Sequence, residues 1–101
     1  MATYVTLMKF TKKAMGNIHE VPGSIEPTVK RMEELGAKLL CVYYTMGEYD
    51  MVAISEWPSD EAAFGFTIEL GAYGNVRTMN LKAFSQEQFA AAVAAVPEID
   101  D

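Results

Sequence analysis

The stretch that decides the fold contains two turn-forming segments, TMGEYD at residues 45–50 and LGAYGNVRT at residues 70–78. The first lies between two runs rich in β-branched and aromatic residues, a composition typical of strands. It predicts an antiparallel hairpin whose strands are clearly separated only by Gly47 and Glu48. The second segment ends a helical run and begins another strand. Together the two segments predict a small domain of sheet and helices with polar groups at its turns.

The rest of the chain alternates between strand-like and helix-like patterns. Its order of strand, helix, strand, strand, helix, strand and terminal helix is that of a ferredoxin-like βαββαβ sandwich, an α+β fold with a four-stranded antiparallel sheet. Right-handed crossovers then place both main helices on one face of the sheet. We expect residues 1–96 to form this single domain and residues 97–101 to form an acidic tail. The predicted elements are strands at 3–10, 37–46, 49–57 and 75–84, a short helical turn at 11–18, and helices at 24–36, at 59 to about 73 and from 85 onward.

Composition and charge argue against several classes of partner. Half of the 101 residues are hydrophobic, which is enough for one buried core. The formal net charge of −6 argues against nucleic acid, whose phosphates need Lys and Arg, and against anionic membranes. Cys41 is the single cysteine, so neither an internal disulfide nor a thiol metal cluster can form within the chain. Without a signal-peptide-like start or an apolar run of about 20 residues, a cytoplasmic protein is expected.

Alternation along the strands divides their side chains between two faces of the sheet. One set is aliphatic and is predicted to lie beneath the helices; it comprises Val5, Leu7, Val52, Ile54, Met79 and Leu81. The other set mixes methionine, aromatic and small polar side chains and is predicted to face outward; it comprises Tyr4, Thr6, Met8, Phe10, Met51, Ala53, Ser55, Trp57, Thr78 and Asn80. An outward face this apolar is expected to be covered by another copy of the chain.

Two interpretations of the outward set remain open. Either it is only the interface of a homodimer or larger homo-oligomer, or it also encloses a cavity for a small apolar or aromatic ligand. The second interpretation rests on the mixture of methionine, aromatic and hydroxyl groups, which is typical of small-molecule pockets. The residues predicted to line the interface or cavity are Tyr4, Thr6, Met8, Met51, Ser55, Trp57 and Asn80.

The same segments resemble a known family. The chain is similar to the GYD-domain family, which is related to the dimeric α/β-barrel superfamily. The resemblance covers nearly the whole chain and implies a ferredoxin-like fold of the dimeric α/β-barrel type and homo-oligomers, but no particular reaction. The matching segments are YVTLMKFT at 4–11, NI at 17–18, TMGEYD at 45–50, DEAA at 60–63, GNVRT at 74–78 and AFSQEQF at 83–89.

Polar residues near the turns are weak candidates for catalysis. His19 is the only histidine and could be a general base, with a solvated loop histidine as the alternative. Tyr49 could donate a hydrogen bond to a substrate if its loop borders a cavity. Arg77 could hold a substrate carboxylate through two hydrogen bonds, or simply pair with Glu48 or Asp50.

The turn motif consists of Gly47, Glu48, Tyr49, Asp50, Gly74 and Asn75. Aspartate commonly accepts backbone N–H bonds in turns, so Asp50 has a structural interpretation beside its possible role as a base. Residues 71–75 are not a phosphate loop, because they follow a helix and lack the Lys-Ser/Thr ending. No second histidine or cysteine stands at metal-ligand spacing, so neither a metal nor a cofactor is expected.

Three functions are compatible with these patterns. A ligand-binding or regulatory homo-oligomer is preferred, because no catalytic constellation accompanies the methionine and aromatic face. A cofactor-independent enzyme of monooxygenase or isomerase type would need a closed cavity that joins His19, Tyr49, Asn80 or Arg77 within hydrogen-bond reach. A purely structural assembly subunit would have no cavity and further interfaces on its helical side. Whether the chain is an enzyme stays open at this point.

Overall fold

The computed structural model describes residues 1–99, which fold in the predicted order. The strands are β1 (Ala2–Phe10), β2 (Lys38–Tyr44), β3 (Met51–Trp57) and β4 (Val76–Ala83), and the helices are α1 (Lys12–Gly16), α2 (Ile25–Glu34), α3 (Asp60–Tyr73) and α4 (Gln86–Ala94), with 3₁₀ turns at Ile18–Glu20 and Pro22–Ser24. The strands pair antiparallel in the order β2-β3-β1-β4. The prediction of an α+β, ferredoxin-like fold with an additional C-terminal helix is confirmed. Of the predicted tail, residues 97–99 are neither helix nor strand, and Asp100 and Asp101 lie outside the described residues.

The boundaries of α3 and α4 depend on local capping groups. The hydroxyl of Ser59 accepts the backbone N–H of Ala62 at 3.1 Å and begins α3. Ser85 and Gln88 form a capping box at the start of α4, with bonds of 3.1 and 2.7 Å. Gly74 ends α3 with a φ of 78°, a left-handed conformation that favours glycine. These local signals place α3 and α4 before any tertiary contact is considered.

The link between β2 and β3 is longer than predicted. Six residues, 45–50, separate the strands, so the expected two-residue separation is wrong. Asp50 is drawn toward β1, because its Oδ2 accepts the N–H of Phe10 at 2.8 Å and its own N–H donates to the carbonyl of Met8 at 2.8 Å. The carbonyl of Asp50 also accepts the N–H of Thr45 at 2.8 Å, so this residue closes the loop and ties it to the first strand. The wider loop turns at Gly47, whose φ is 118°.

The two faces of the sheet are occupied the other way round from the prediction. The methionine and aromatic set lies beneath α2 and α3, where Met8 and Met51 are buried and only 3% of Trp57 is exposed. The Trp57 ring packs against Phe66 of α3, with ring centroids 5.2 Å apart. The aliphatic set, which we call the open face, points away from the helices. Its members are Val5, Leu7, Val52, Ile54, Met79 and Leu81, of which Met79 and Leu81 remain 48% and 47% exposed.

The error has a physical cause. Both sets are apolar, so hydrophobicity alone does not tell which one meets the helices. Trp57 of β3 packs in one buried cluster with Met32 of α2 and Phe66 of α3. Contacts of this kind between distant segments decide which face is covered, and alternation along one strand does not reveal them.

The C-terminal helix α4 stands apart from the rest of the chain. All of its residues are exposed, including Phe89 and Val93. The molecule extends 56 Å along its longest axis, and its radius of gyration is 16.3 Å. A compact chain of this length would have a radius of about 13 Å. The difference reflects an arm that leaves the domain after β4.

Candidate functional site

A cavity of about 170 Å³ lies between the sheet and helices α2 and α3. Its floor is the methionine and aromatic face of the sheet, and its roof is formed by residues that recur at helical spacing. In α3 these roof residues are Ala63, Phe66, Thr67 and Leu70. The sandwich therefore keeps a partly open space between its two layers.

All seven residues predicted to line an interface or cavity lie on the floor of this cavity. They are Tyr4, Thr6, Met8, Met51, Ser55, Trp57 and Asn80. They lie within one protomer, whereas the prediction placed them between the sheets of two protomers. The sequence thus grouped these residues together but assigned their face to the wrong covering layer.

The cavity wall carries no charged residue among those that line it. Its most buried polar pair is satisfied internally, because the indole N–H of Trp57 donates to the hydroxyl of Ser55 at 3.0 Å. Burying an ion without a partner is strongly unfavourable, so such a wall selects against charged molecules. The cavity is suited to a neutral occupant.

One end of the cavity has a cluster of hydrogen-bonding groups. The hydroxyl of Thr6 donates to Oδ1 of Asn80 at 2.7 Å, and the amide of Asn80 donates to the hydroxyl of Thr67. Thr67 in turn donates to the carbonyl of Ala63 at 3.0 Å. An amide group has two N–H donors and a hydroxyl oxygen has two acceptor lone pairs, so this cluster keeps further bonding capacity. It can hold a hydroxyl or carbonyl oxygen of a ligand.

An ion pair joins α2 to α3 above the cavity. Arg31 donates to both carboxylate oxygens of Glu69, at 3.0 and 2.9 Å, and Tyr73 donates its hydroxyl to the same carboxylate at 2.8 Å. The hydrogen bonds from Arg31, and then from Tyr73, lower the pKa of Glu69 below its ordinary value of 4.5. The bond to Glu69 raises the pKa of Tyr73. This bridge holds the two roof helices together.

The bridge leads to a pH prediction. A carboxyl group whose pKa is lower in the folded state stabilises the fold above its unfolded pKa and loses that effect as the pH falls through the folded value. We expect the Tm of the wild type to fall more steeply than that of Glu69→Gln between pH of about 6 and about 3. Thermal unfolding followed by circular dichroism would measure the difference. Glu33→Gln, the same change at an exposed position of α2, is the control, and parallel profiles of Glu69→Gln and wild type would contradict the prediction.

A second network holds the start of α3 to the sheet. Asp60 accepts the hydroxyl of Tyr4 at 2.6 Å and the ammonium of Lys82 at 2.8 Å. The bond from Lys82, and then that from Tyr4, lowers the pKa of Asp60, and the bond to Asp60 raises the pKa of Tyr4. Tyr4 therefore contributes its ring to the cavity while its hydroxyl is held at the outer edge.

The weak catalytic candidates are not gathered at the cavity. His19 is exposed in the first 3₁₀ turn, and Arg77 is exposed on β4. Tyr49 donates its hydroxyl to the sulfur of Met79 at 3.6 Å, on the open face. Of the residues named for the enzyme hypothesis, Asn80 alone is among those that line the cavity.

The turn motif is used mainly for structure. Asp50 ties the hairpin loop to β1, and Glu48 lies 3.7 Å from Lys9, so neither carboxylate pairs with Arg77 among the described residues. At the other turn, the hydroxyl of Thr11 donates to the carbonyl of Gly74 at 2.6 Å. Asn75 follows and lies at the cavity wall.

Sequence reasoning missed the contribution of the helices to the site. Thr67 and Ala63 are four residues apart in α3 and therefore lie on one side of that helix. Their spacing, together with Phe66, could have marked the inward side of α3. The pairing of Arg31 with Glu69 had no such signal, because the two residues are 38 positions apart.

A family model covers most of the chain. The family model described as GYD domain matches residues 4–93. The chain belongs to the GYD-domain family. In this GYD-domain protein the match runs from the cavity floor at Tyr4 into the arm helix α4. None of the curated proteins or solved structures compared with the chain matches it significantly.

Two further observations concern the described part of this GYD-domain protein. Within residues 1–99, no helix has the length and apolar character needed to cross a bilayer. Within the same residues, no group of three or more histidine, cysteine, aspartate or glutamate side chains is placed to hold a metal ion.

Proposed function

We propose that this GYD-domain protein is a cytoplasmic homo-oligomer that binds a small, neutral, largely apolar molecule in the cavity beneath α2 and α3. The observation that carries the proposal is the uncharged cavity with a hydrogen-bonding cluster at one end. Such a combination of apolar wall and few polar groups is typical of small-molecule sites.

The size of the cavity limits the ligand. A dry cavity of about 150 Å³ in another protein holds benzene. The present volume of about 170 Å³ corresponds to one ring with one or two small substituents. Trp57 and Phe66 offer ring faces and edges to such a molecule, while Met8 and Met51 adapt to its outline.

The polar end limits the chemistry of the ligand. Asn80 and Thr6 can donate to and accept from a hydroxyl, or donate to a carbonyl. A carboxylate or ammonium would lose its hydration without finding an opposite charge on the wall. A phenol or a small cyclic ketone fits both conditions.

We propose that the chain self-associates through the open face. The sequence had predicted association through the methionine and aromatic face instead. The Tyr4 and Met51 side is already covered by the chain's own helices, whereas Met79 and Leu81 remain half exposed at the apolar centre of a face that Lys9 and Arg77 flank. Surfaces of this kind mark interaction sites on monomers. The cavity and the association surface then lie on opposite faces of one sheet.

Binding is preferred over catalysis because of where the candidate groups lie. The enzyme hypothesis needs His19, Tyr49 or Arg77 near Asn80, and none of those three is among the residues that line the cavity. The purely structural hypothesis predicts that there is no cavity. The internal space therefore favours a binding protein over both.

Binding of para-cresol by the whole protein tests the proposal. We expect para-cresol to raise the Tm, because a ligand that binds only the folded state stabilises it, and para-hydroxybenzoate to have no effect. Ala53→Leu should weaken para-cresol binding about tenfold or more, since the larger side chain enters the cavity floor at a site that is 9% exposed. Isothermal titration calorimetry would measure both affinities.

The matched control is Ala72→Leu, the same change at an exposed position of α3. It should bind para-cresol as the wild type does. Circular dichroism would verify that Ala53→Leu is folded. Equal affinity of the two variants, or equal binding of para-cresol and para-hydroxybenzoate by the wild type, would contradict a neutral site in this cavity.

A further inference from the structure

The arm helix α4 has an unusual composition for an exposed element. Every residue from 89 to 96 is alanine, valine or phenylalanine, and every one of them is exposed. Phe89, Val93 and Val96 are 68%, 52% and 58% exposed. A helix that is apolar all round is normally a buried helix. Nothing in the described chain covers this one.

The arm also needs a covering surface in order to remain helical. It has nine residues, and isolated helices shorter than about 12–15 residues are marginal in water. The capping box at Ser85 supports its first turn only. Stable helical structure therefore requires packing against another surface.

The charge of the arm indicates whether a protein surface or a membrane covers it. The sequence from residue 84 to residue 101 contains no lysine or arginine, and it carries acidic side chains at Glu87 and Glu98. Helices that lie on membranes combine an apolar side with basic residues that attract anionic lipids. A protein partner with an apolar, uncharged surface is the better match.

A second copy of the chain offers such a surface. The six apolar side chains of the open face are not covered by a helix, and β4, which contributes Met79 and Leu81 to them, continues directly into the arm. Fully exposed aromatic side chains contribute on the order of 150–250 Å² each. Phe84 and Phe89, each about two-thirds exposed, would contribute on the order of 200–330 Å² of the roughly 800 Å² per partner of a standard interface, and the half-exposed Val93, Met79 and Leu81 would add to it.

We propose that two copies associate through their open faces and that each donates α4 to the other copy. Two-fold symmetry makes the exchange reciprocal, so both arms and both open faces are covered at once. In the described structure the arm does not cover the open face of its own protomer, because α4, Met79 and Leu81 are all exposed. This inference rests on the self-association proposed above, and it adds the arm as an exchanged part of the interface.

Photo-crosslinking in a mixture of unlabelled and ¹⁵N-labelled protein tests whether α4 is exchanged between copies. A benzophenone side chain replaces Val93 in protein with natural nitrogen, which is mixed with an excess of ¹⁵N-labelled wild type and irradiated. We expect cross-linked products of twice the 11.2 kDa monomer mass that join light arm peptides to heavy peptides of the partner. Links found only within light chains would overturn the exchange.

Charge substitutions distinguish the contribution of the arm to dimerisation from that of the open face. Val93→Lys and Leu81→Lys should each raise the dimer dissociation constant at least a hundredfold in sedimentation equilibrium. Gln86→Lys, which adds the same charge outside the apolar part of α4, should leave the constant within about threefold. A dimer that tolerates Val93→Lys but not Leu81→Lys would overturn the exchange and leave the open-face association standing. A wild-type protein that stays monomeric at high micromolar concentration would overturn both, while para-cresol binding would still test the cavity.

Discussion

Replacing Trp57 with alanine is expected to lower the free energy of unfolding by about 3–5 kcal/mol. Trp57 is the most buried of the core side chains, with 3% of its surface exposed. Its ring contacts Phe66 of α3, and it packs in one cluster with Met32 of α2. Alanine would remove the contacts that hold both helices to the sheet and would leave the hydroxyl of Ser55 without its indole donor.

Urea unfolding followed by circular dichroism measures this loss. Domains of this size have stabilities of about 5–15 kcal/mol, so the variant should lose a large share of its stability and unfold at a clearly lower urea concentration than the wild type. Phe64→Ala is the control, because the Phe64 ring is 68% exposed on the outer side of α3. We expect that control to change the unfolding free energy by about 0.5 kcal/mol or less. Equal losses in the two variants would contradict the core described above.

Replacing Asp50 with alanine is expected to lower the free energy of unfolding by about 1.5–3 kcal/mol, the usual contribution of a hydrogen bond to a charged group. Its carboxylate is the acceptor for the backbone N–H of Phe10, a bond between half-buried groups. Without it, that N–H loses its partner inside the structure, and the hairpin loop loses its attachment to β1. Urea unfolding also measures this change.

Two further variants distinguish the effect of this hydrogen bond on stability from the effect of the loop conformation. Asp50→Asn keeps an oxygen acceptor for the Phe10 N–H, so it should retain part of the lost stability. Glu48→Ala should change the unfolding free energy by at most about 1 kcal/mol, because its pair with Lys9 is exposed. If Glu48→Ala were as damaging as Asp50→Ala, the motif would owe its effect to loop conformation and not to this bond.

Local features of the fold were predictable because their causes are local. The caps at Ser59 and Ser85 and the left-handed glycine at Gly74 act within a few residues of each helix end. The hairpin loop was mispredicted because Asp50 bonds to β1, a strand 40 residues away along the chain. A pattern read along one segment carries no information about such a partner.

At the candidate site, too, features with local causes were predictable and contacts between distant segments were not. Alternation brought Tyr4, Ser55 and Trp57 into one set, and these residues do line one cavity. The Arg31–Glu69 bridge above them could not be foreseen, since it joins two helices that become neighbours only after the sheet has formed. His19 and Arg77 were chosen for their chemistry alone, and the fold separates them from the cavity.

The amino-acid sequence by itself determined the element order, the helix boundaries and the membership of the two faces of the sheet, because each depends on residue type and spacing. Only the tertiary structure decided which face lies beneath the helices. Both faces are apolar, so solvent exclusion favours covering either one, and the choice depends on packing between the sheet and the helices α2 and α3, which alternation within a strand does not encode. Trp57 and Met51 lie beneath the helices and border the cavity, while Leu81 and Met79 remain on the open face.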